Sequence, residues 1–154
     1  MSSKSVTTRN IASPKKAYKM TNVRISPYTL AILRIVTGFL FLLHGLQKSL
    51  NILGEMPEGV PANVLILLRT AGWIETIGGA LIIAGLFTPV VAFVLCGEMA
   101  VAFFVGHVAR MGKFLPTQNG GAEAVLNCFI FLYLFTAGAG AWSVDSLRKK
   151  KPIS

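Results

Sequence analysis

The sequence predicts an all-α integral membrane protein, a four-helix bundle with both termini in the cytoplasm. Three observations lead there. The chain is 53% hydrophobic and only 14% charged over 154 residues, against about 25% charged in soluble domains. Its apolar residues fall into four runs near the ~20 residues that cross a bilayer as a helix. Its charge is segregated: residues 1–26 carry six basic side chains and no acid, and Arg148 to Lys151 add four more. Residues 27–147 hold five basic and six acidic groups and are nearly neutral.

This segregation explains the formal charge of +9. Basic segments flanking apolar spans mark the cytoplasmic side and favour anionic lipid. Nucleic-acid binding would need a basic face on a folded surface, and the core offers none. The division expected is a flexible basic tail over 1–26, one membrane domain over 27–145 and a second basic tail over 146–154. The first tail is rich in Ser and Thr and lacks the apolar core of a secretory signal.

The elements follow in order. Pro27 suits a helix start, and span 1 is expected over Tyr28 to Leu46. Pro57, Gly59 and Pro61 break the loop Gln47 to Asn63. Span 2 runs over Val64 to Leu86, and Phe87-Thr88-Pro89 is an uncharged tight turn. Span 3 runs over Pro89 to Ala109, followed by a loop from Arg110 to Gly121. Span 4 runs over Ala122 to Ala139, with Trp142 as an interfacial anchor. Four crossings return both ends to one side, in agreement with the charge bias.

Glu75 and Glu98 interrupt the middle of spans 2 and 3. A carboxylate at that depth costs about 2.5–3.5 kcal/mol on an insertion scale unless compensated. Each is therefore a candidate for a ligand or proton site. Counting ~1.5 Å per residue from the cytoplasmic end puts both, with Cys128, at roughly 14–17 Å, His44 at about 21–24 Å, His107 at about 27 Å and Arg34 at about 6–9 Å. Gly72, Glu75 and Gly79 share one face of span 2, where small residues let a neighbouring helix approach. On span 1, Thr37, His44 and Lys48 share a face, and Arg34, Gly38, Phe41 and Gly45 form another. Arg34 either snorkels to the headgroups or reaches the glutamates. The site set is Glu75, Glu98, His44 and Arg34, although polar groups of this kind also serve as interhelical glue.

Glu98 and His107 are nine residues apart, ~180° on an ideal helix. Unless the helix distorts, they cannot face one interior, so His107 is assigned to an outer rim with Asn119, Glu123 and Lys48. The Asn119-Gly120-Gly121 turn favours positive φ, and Glu123 complements the start of span 4. No metal site is expected, since the two histidines lack ligand spacing. Cys96 and Cys128 read as packing residues, or as a redox pair if spans 3 and 4 touch at their level.

An ordered set of motifs then resembles the DoxX family of bacterial membrane proteins. It comprises Leu33-Arg34, Gly38 to Gly45 with His44, Lys48, Glu75 to Leu81, Gly85 to Thr88, Glu98-Met99-Ala100, His107, Pro116, Asn119 to Glu123, Leu132 to Leu134 and Gly138 to Asp145. Pro89 departs from the pattern, standing where many members carry a basic residue. The resemblance covers about residues 30–145. It implies a four-helix protein of the bacterial cytoplasmic (inner) membrane, similar to subunits of redox complexes that include a thiosulfate:quinone oxidoreductase. The positions it marks are Arg34, His44, Lys48, Glu75, Glu98, His107, Asn119, Glu123 and Asp145.

The functional expectation is a redox-linked membrane subunit that takes a quinone or similar apolar molecule. Quinone is the candidate cofactor. The chain carries no haem, iron–sulfur or dinucleotide motif and no complete catalytic motif, so a redox enzyme partner would supply electrons. The alternative is a non-enzymatic scaffold, as a homo-oligomer, or a small-solute carrier. The bilayer is a partner in either case.

Overall fold

The computed structural model describes residues 26–52 and 59–149. The basic residues expected in the N-terminal tail, Lys150 to Ser154 and part of the first loop lie outside these. The described residues are all-α, with three helices long and apolar enough to cross a membrane: α1 (Pro27–Leu50), α2 (Ala62–Ala84) and α3 (Thr88–Met111). A short α4 (Pro116–Asn119) precedes α5 (Ala122–Ala137), which is apolar but shorter, and α6 (Val144–Lys149) follows. At 16 residues, α5 spans ~24 Å at the usual rise. The sequence reading carries it two residues farther, but Gly138 takes φ 80° and ends it.

Local chemistry sets the ends. Pro27 opens α1 behind Ser26, whose hydroxyl accepts the Tyr28 amide at 3.3 Å, a cap in the ordinary sense. Asn51 closes α1 in the left-handed region at φ 55°. The helix therefore runs a turn beyond the expected Leu46 and carries Lys48 with it. Gly85, at φ 65°, ends α2. Its amide bonds Ile82 O and the Leu86 amide bonds Leu81 O, the paired closure of a Schellman end. The C-terminal tail expected from 146 instead begins as helix, since α6 continues through Lys149.

The helices form two hairpins. α1 packs chiefly on α2, α3 packs chiefly on α5, and the hairpins join along α2 and α3. Small residues let α1 and α2 approach closely. A Cβ on Gly79 would lie 2.6 Å from Leu42 N and 2.8 Å from Gly38 O. Phe41 of α1 meets Phe131 of α5 edge-on, with ring centroids 4.8 Å apart. Around them Leu30, Ile82, Leu95, Met99, Phe103 and Leu134 complete the core. Outward, Ile32, Val36, Leu40, Ile66, Ile77, Val90, Phe93, Val101 and Phe129 are exposed. An apolar exterior on every long helix is what lipid requires and water penalises.

Within α3, residues Ala102–Val108 form a π-helical segment. Each i→i+5 turn advances a residue through less angle than an α-turn. The azimuth of His107 therefore falls short of the face opposite Glu98. This is the distortion that the nine-residue spacing demands if both polar groups are to turn inward, and π-segments often mark functional positions.

Candidate functional site

Three polar clusters organise the bundle. The deepest joins α1, α2 and α3. Lys48 Nζ donates to Glu75 Oε1 at 2.6 Å, with Glu75 fully buried and Lys48 22% exposed. Glu75 reaches this position because Gly45 and Gly72 bring the two backbones together. A Cβ on Gly72 would sit 2.7 Å from Lys48 Cβ. Glu98, on α3, lies within electrostatic range of both Glu75 and Lys48. Its two carboxyl oxygens and Glu75 Oε2 are buried without a hydrogen-bond partner. The ammonium thus meets only one of the two carboxyls, and three acceptor oxygens are left without a hydrogen-bond partner. An unmade bond on a buried polar group costs about 1–3 kcal/mol, so the arrangement is costly as it stands. A proton or a hydrogen-bond donor at these oxygens would relieve it. The rim assignment of Lys48 gives way to this contact: the extra turn of α1 brings its ammonium to Glu75. His44 is half-buried one residue from Gly45 and makes no hydrogen bond to either glutamate.

The second cluster lies where α2 turns into α3. Arg34 is fully buried. Its Nε donates to Ala139 O at 2.8 Å, and its Nη1 donates to Ile82 O at 2.6 Å and to Ile83 O. Its Nη2 donates to Ala141 O at 3.3 Å and Trp142 O at 2.8 Å. The guanidinium neither snorkels nor meets the glutamates. It gathers carbonyls at the end of α2 and beyond the end of α5, where a cation suits the helix dipole. Asp145 does the converse. Its Oδ1 and Oδ2 accept the amides of Phe87 and Thr88, each at 2.9 Å, at the positive end of α3. Burial alone would favour the neutral acid. The Thr88 and Phe87 amides and the Arg148 charge outweigh it, so Asp145 titrates below the ordinary aspartate range. Arg148 also stands 4.9 Å over the Phe87 ring. An open groove of about 490 Å³ runs beside this cluster between Pro89, Val90, Ala137 and Arg148.

The third cluster ties the loop before α5. Asn119 is 3% exposed. Its Nδ2 donates to Lys113 O at 2.9 Å and its Oδ1 accepts the Gly121 amide at 2.8 Å. The Asn119 carbonyl lies 3.0 Å from His107 Nδ1. His107 and Asn119 therefore come together, as the rim reading groups them, whereas Glu123 is exposed on the first turn of α5. Sequence reasoning gives no separate role to Asp145. Asp145 is marked only by the resemblance, but as an acid beyond the last apolar run it was free to cap a helix start. Among the described residues no three His, Cys, Asp or Glu side chains group closely enough to hold a metal ion.

Among the described residues, an all-helical bundle with apolar side chains outward on every long helix and carboxyl groups buried within it is that of an integral membrane protein. The DoxX family model matches residues 29–108, just over half of the chain. An uncharacterized protein of Haemophilus influenzae is 46% identical over 126 residues, covering 81% of this chain and 94% of that protein. The chain belongs to the DoxX family. No solved structure matches.

Proposed function

We propose that the chain is a redox-linked membrane subunit that takes a quinone or similar apolar carbonyl compound beside Glu98. The observation that carries this reading is the Glu98 carboxyl, buried with both oxygens unpartnered near the Glu75–Lys48 pair. A protonated carboxyl donates one hydrogen bond and accepts another. It therefore suits a ligand whose carbonyl oxygen needs a donor when oxidised and a proton when reduced. Lys48 is taken up by Glu75, so Glu98 is the carboxyl with both oxygens left for a ligand. A partner enzyme supplies electrons. The setting is the bacterial inner membrane, with α5 as the fourth crossing and both basic ends in the cytoplasm.

The test is binding of a short-chain quinone analogue to the purified protein in nanodiscs. Binding that disappears in Glu98→Gln, while that variant keeps its thermal stability, supports the site. Equal binding by the wild type and the Glu75→Gln/Glu98→Gln double variant removes it.

One observation favours a second reading. Arg34 and Lys48 are both committed to contacts between helices, as in a scaffold whose polar groups serve packing alone. Crosslinking in native membranes separates the two. Capture of a redox enzyme favours the subunit, and capture of further copies of the chain alone favours the scaffold.

A further inference from the structure

A second chemistry-bearing pair lies outside these clusters. Cys96 of α3 and Cys128 of α5 meet with their sulfurs 3.6 Å apart, and both thiols are free. The two helices are the main packing partners of one hairpin, and Phe93 and Phe135 pin them together nearby with ring centroids 5.4 Å apart. The thiols are not sealed in the core. Both are half-buried, and their neighbours Val94, Gly97 and Phe129 face outward. A Cβ on Gly97 would have nothing within 4 Å, so the surface next to Cys96 is bare. In a bilayer that surface is bathed by acyl chains.

We propose that Cys96 and Cys128 are a redox-active dithiol that closes to an interhelical disulfide by reducing a lipid-soluble quinone. Sulfurs in contact at 3.6 Å reach the ~2.05 Å of a disulfide by side-chain rotation and a small approach of two helices already packed. Two S–H bonds break and one S–S bond forms. The two electrons and two protons end on the quinone oxygens, giving one quinol per chain. The position selects the reagent: water-soluble oxidants and glutathione have no route to thiols flanked by lipid-facing side chains, whereas a quinone is dissolved in the same layer. The choice of oxidant rests on the quinone reading above; the pairing of the two sulfurs does not.

The experiment uses the full chain, reduced and reconstituted in phosphatidylcholine vesicles, with decylubiquinone added under argon. Free thiols are counted after denaturation by a maleimide mass tag, and quinol is followed by absorbance. The expected result is joint loss of both thiols, a monomeric non-reduced band and one quinol per chain. Cys96→Ser and Cys128→Ser should each keep the remaining thiol free and form no quinol. Thiols that stay free, quinol formed equally by the serine variants, or crosslinking between chains would overturn the proposal. So would a disulfide that copper-phenanthroline makes and the quinone does not. The Glu75→Gln/Glu98→Gln variant separates the two readings. A disulfide that still forms there, with quinone bound as in the wild type, keeps the dithiol and removes the glutamate site. Intact binding in the wild type with unreacted thiols removes only the dithiol.

Discussion

Lys48 Nζ and Glu75 Oε1 stand 2.6 Å apart across the α1–α2 interface, with the acid fully buried. Removing only one partner of a buried pair strands the other charge. Lys48→Met should therefore lower the stability of the protein in detergent by about 3 kcal/mol, the low end for breaking buried pairs. Lys48→Met/Glu75→Met should recover most of the loss. Thermal unfolding followed by circular dichroism reads both. A double variant no better than the single would show that the ion pair is not what matters at this contact.

Glu98 should behave in the opposite way. Its oxygens have no partner, so Glu98→Met removes a buried acid without stranding another group. We expect it to stabilise the fold by about 1–2 kcal/mol, on the scale of one unsatisfied polar group. Quinone binding should be lost at the same time, a trade of stability for function. A destabilised Glu98→Met would mean that the carboxyl is bonded in the folded protein.

Arg34 draws on five carbonyl contacts from a planar fork. A lysine keeps the charge but offers a compact ammonium with three donors. Arg34→Lys should cost about 2–4 kcal/mol, one or two charge-assisted hydrogen bonds. Hydrogen exchange should show the loosening first around Ile82 to Trp142. Unchanged protection there would rule out a clamp.

Asp145 gives the fold a dependence on acid. The Thr88 and Phe87 amides overcome burial and hold its carboxyl below the ordinary range. A group depressed in the folded state stabilises fully above its unfolded pKa, about 3.9 for aspartate, and loses that contribution as pH falls through the folded value. Asp145→Asn should therefore be less stable than the wild type by about 1 kcal/mol, the usual worth of a cap. The gap should stay constant above about pH 4 and close below it. A gap that stayed open at pH 2 would deny the ionised cap.

Glycine substitutions test the helix contacts. Gly79→Ala places a methyl against backbone of α1 on two sides, at 2.6 and 2.8 Å, and should cost about 1–3 kcal/mol, as overpacking does. Gly97→Ala meets nothing and should be neutral or gain up to about 1 kcal/mol of helix propensity. Equal effects on the melting temperature would mean that α1 and α2 are not packed backbone to backbone.

Much of the architecture was legible in the chain. Apolar runs of bilayer length and Pro27 set the helices, because hydrocarbon admits only segments that satisfy their own backbone. The place of Glu75 and Glu98 within long apolar helices followed from counting residues. The sharing of one face by Gly72, Glu75 and Gly79 followed from helical period. Each of these depends only on distance along the chain.

What the tertiary structure alone decided is who meets whom. Arg34 was legible as an intramembrane cation, but its carbonyl partners come from residues 48 to 108 positions away, which no spacing rule connects. Lys48 was read at the rim, because the continuation of α1 to Asn51 is settled by where the left-handed cap falls. His107 meets the Asn119 carbonyl from a π-segment that nothing in Ala102–Val108 announces. Local sequence fixes the period and length of a helix. Its rotation against its neighbours is set by the sum of many close contacts between helices, and that sum exists only once they have packed.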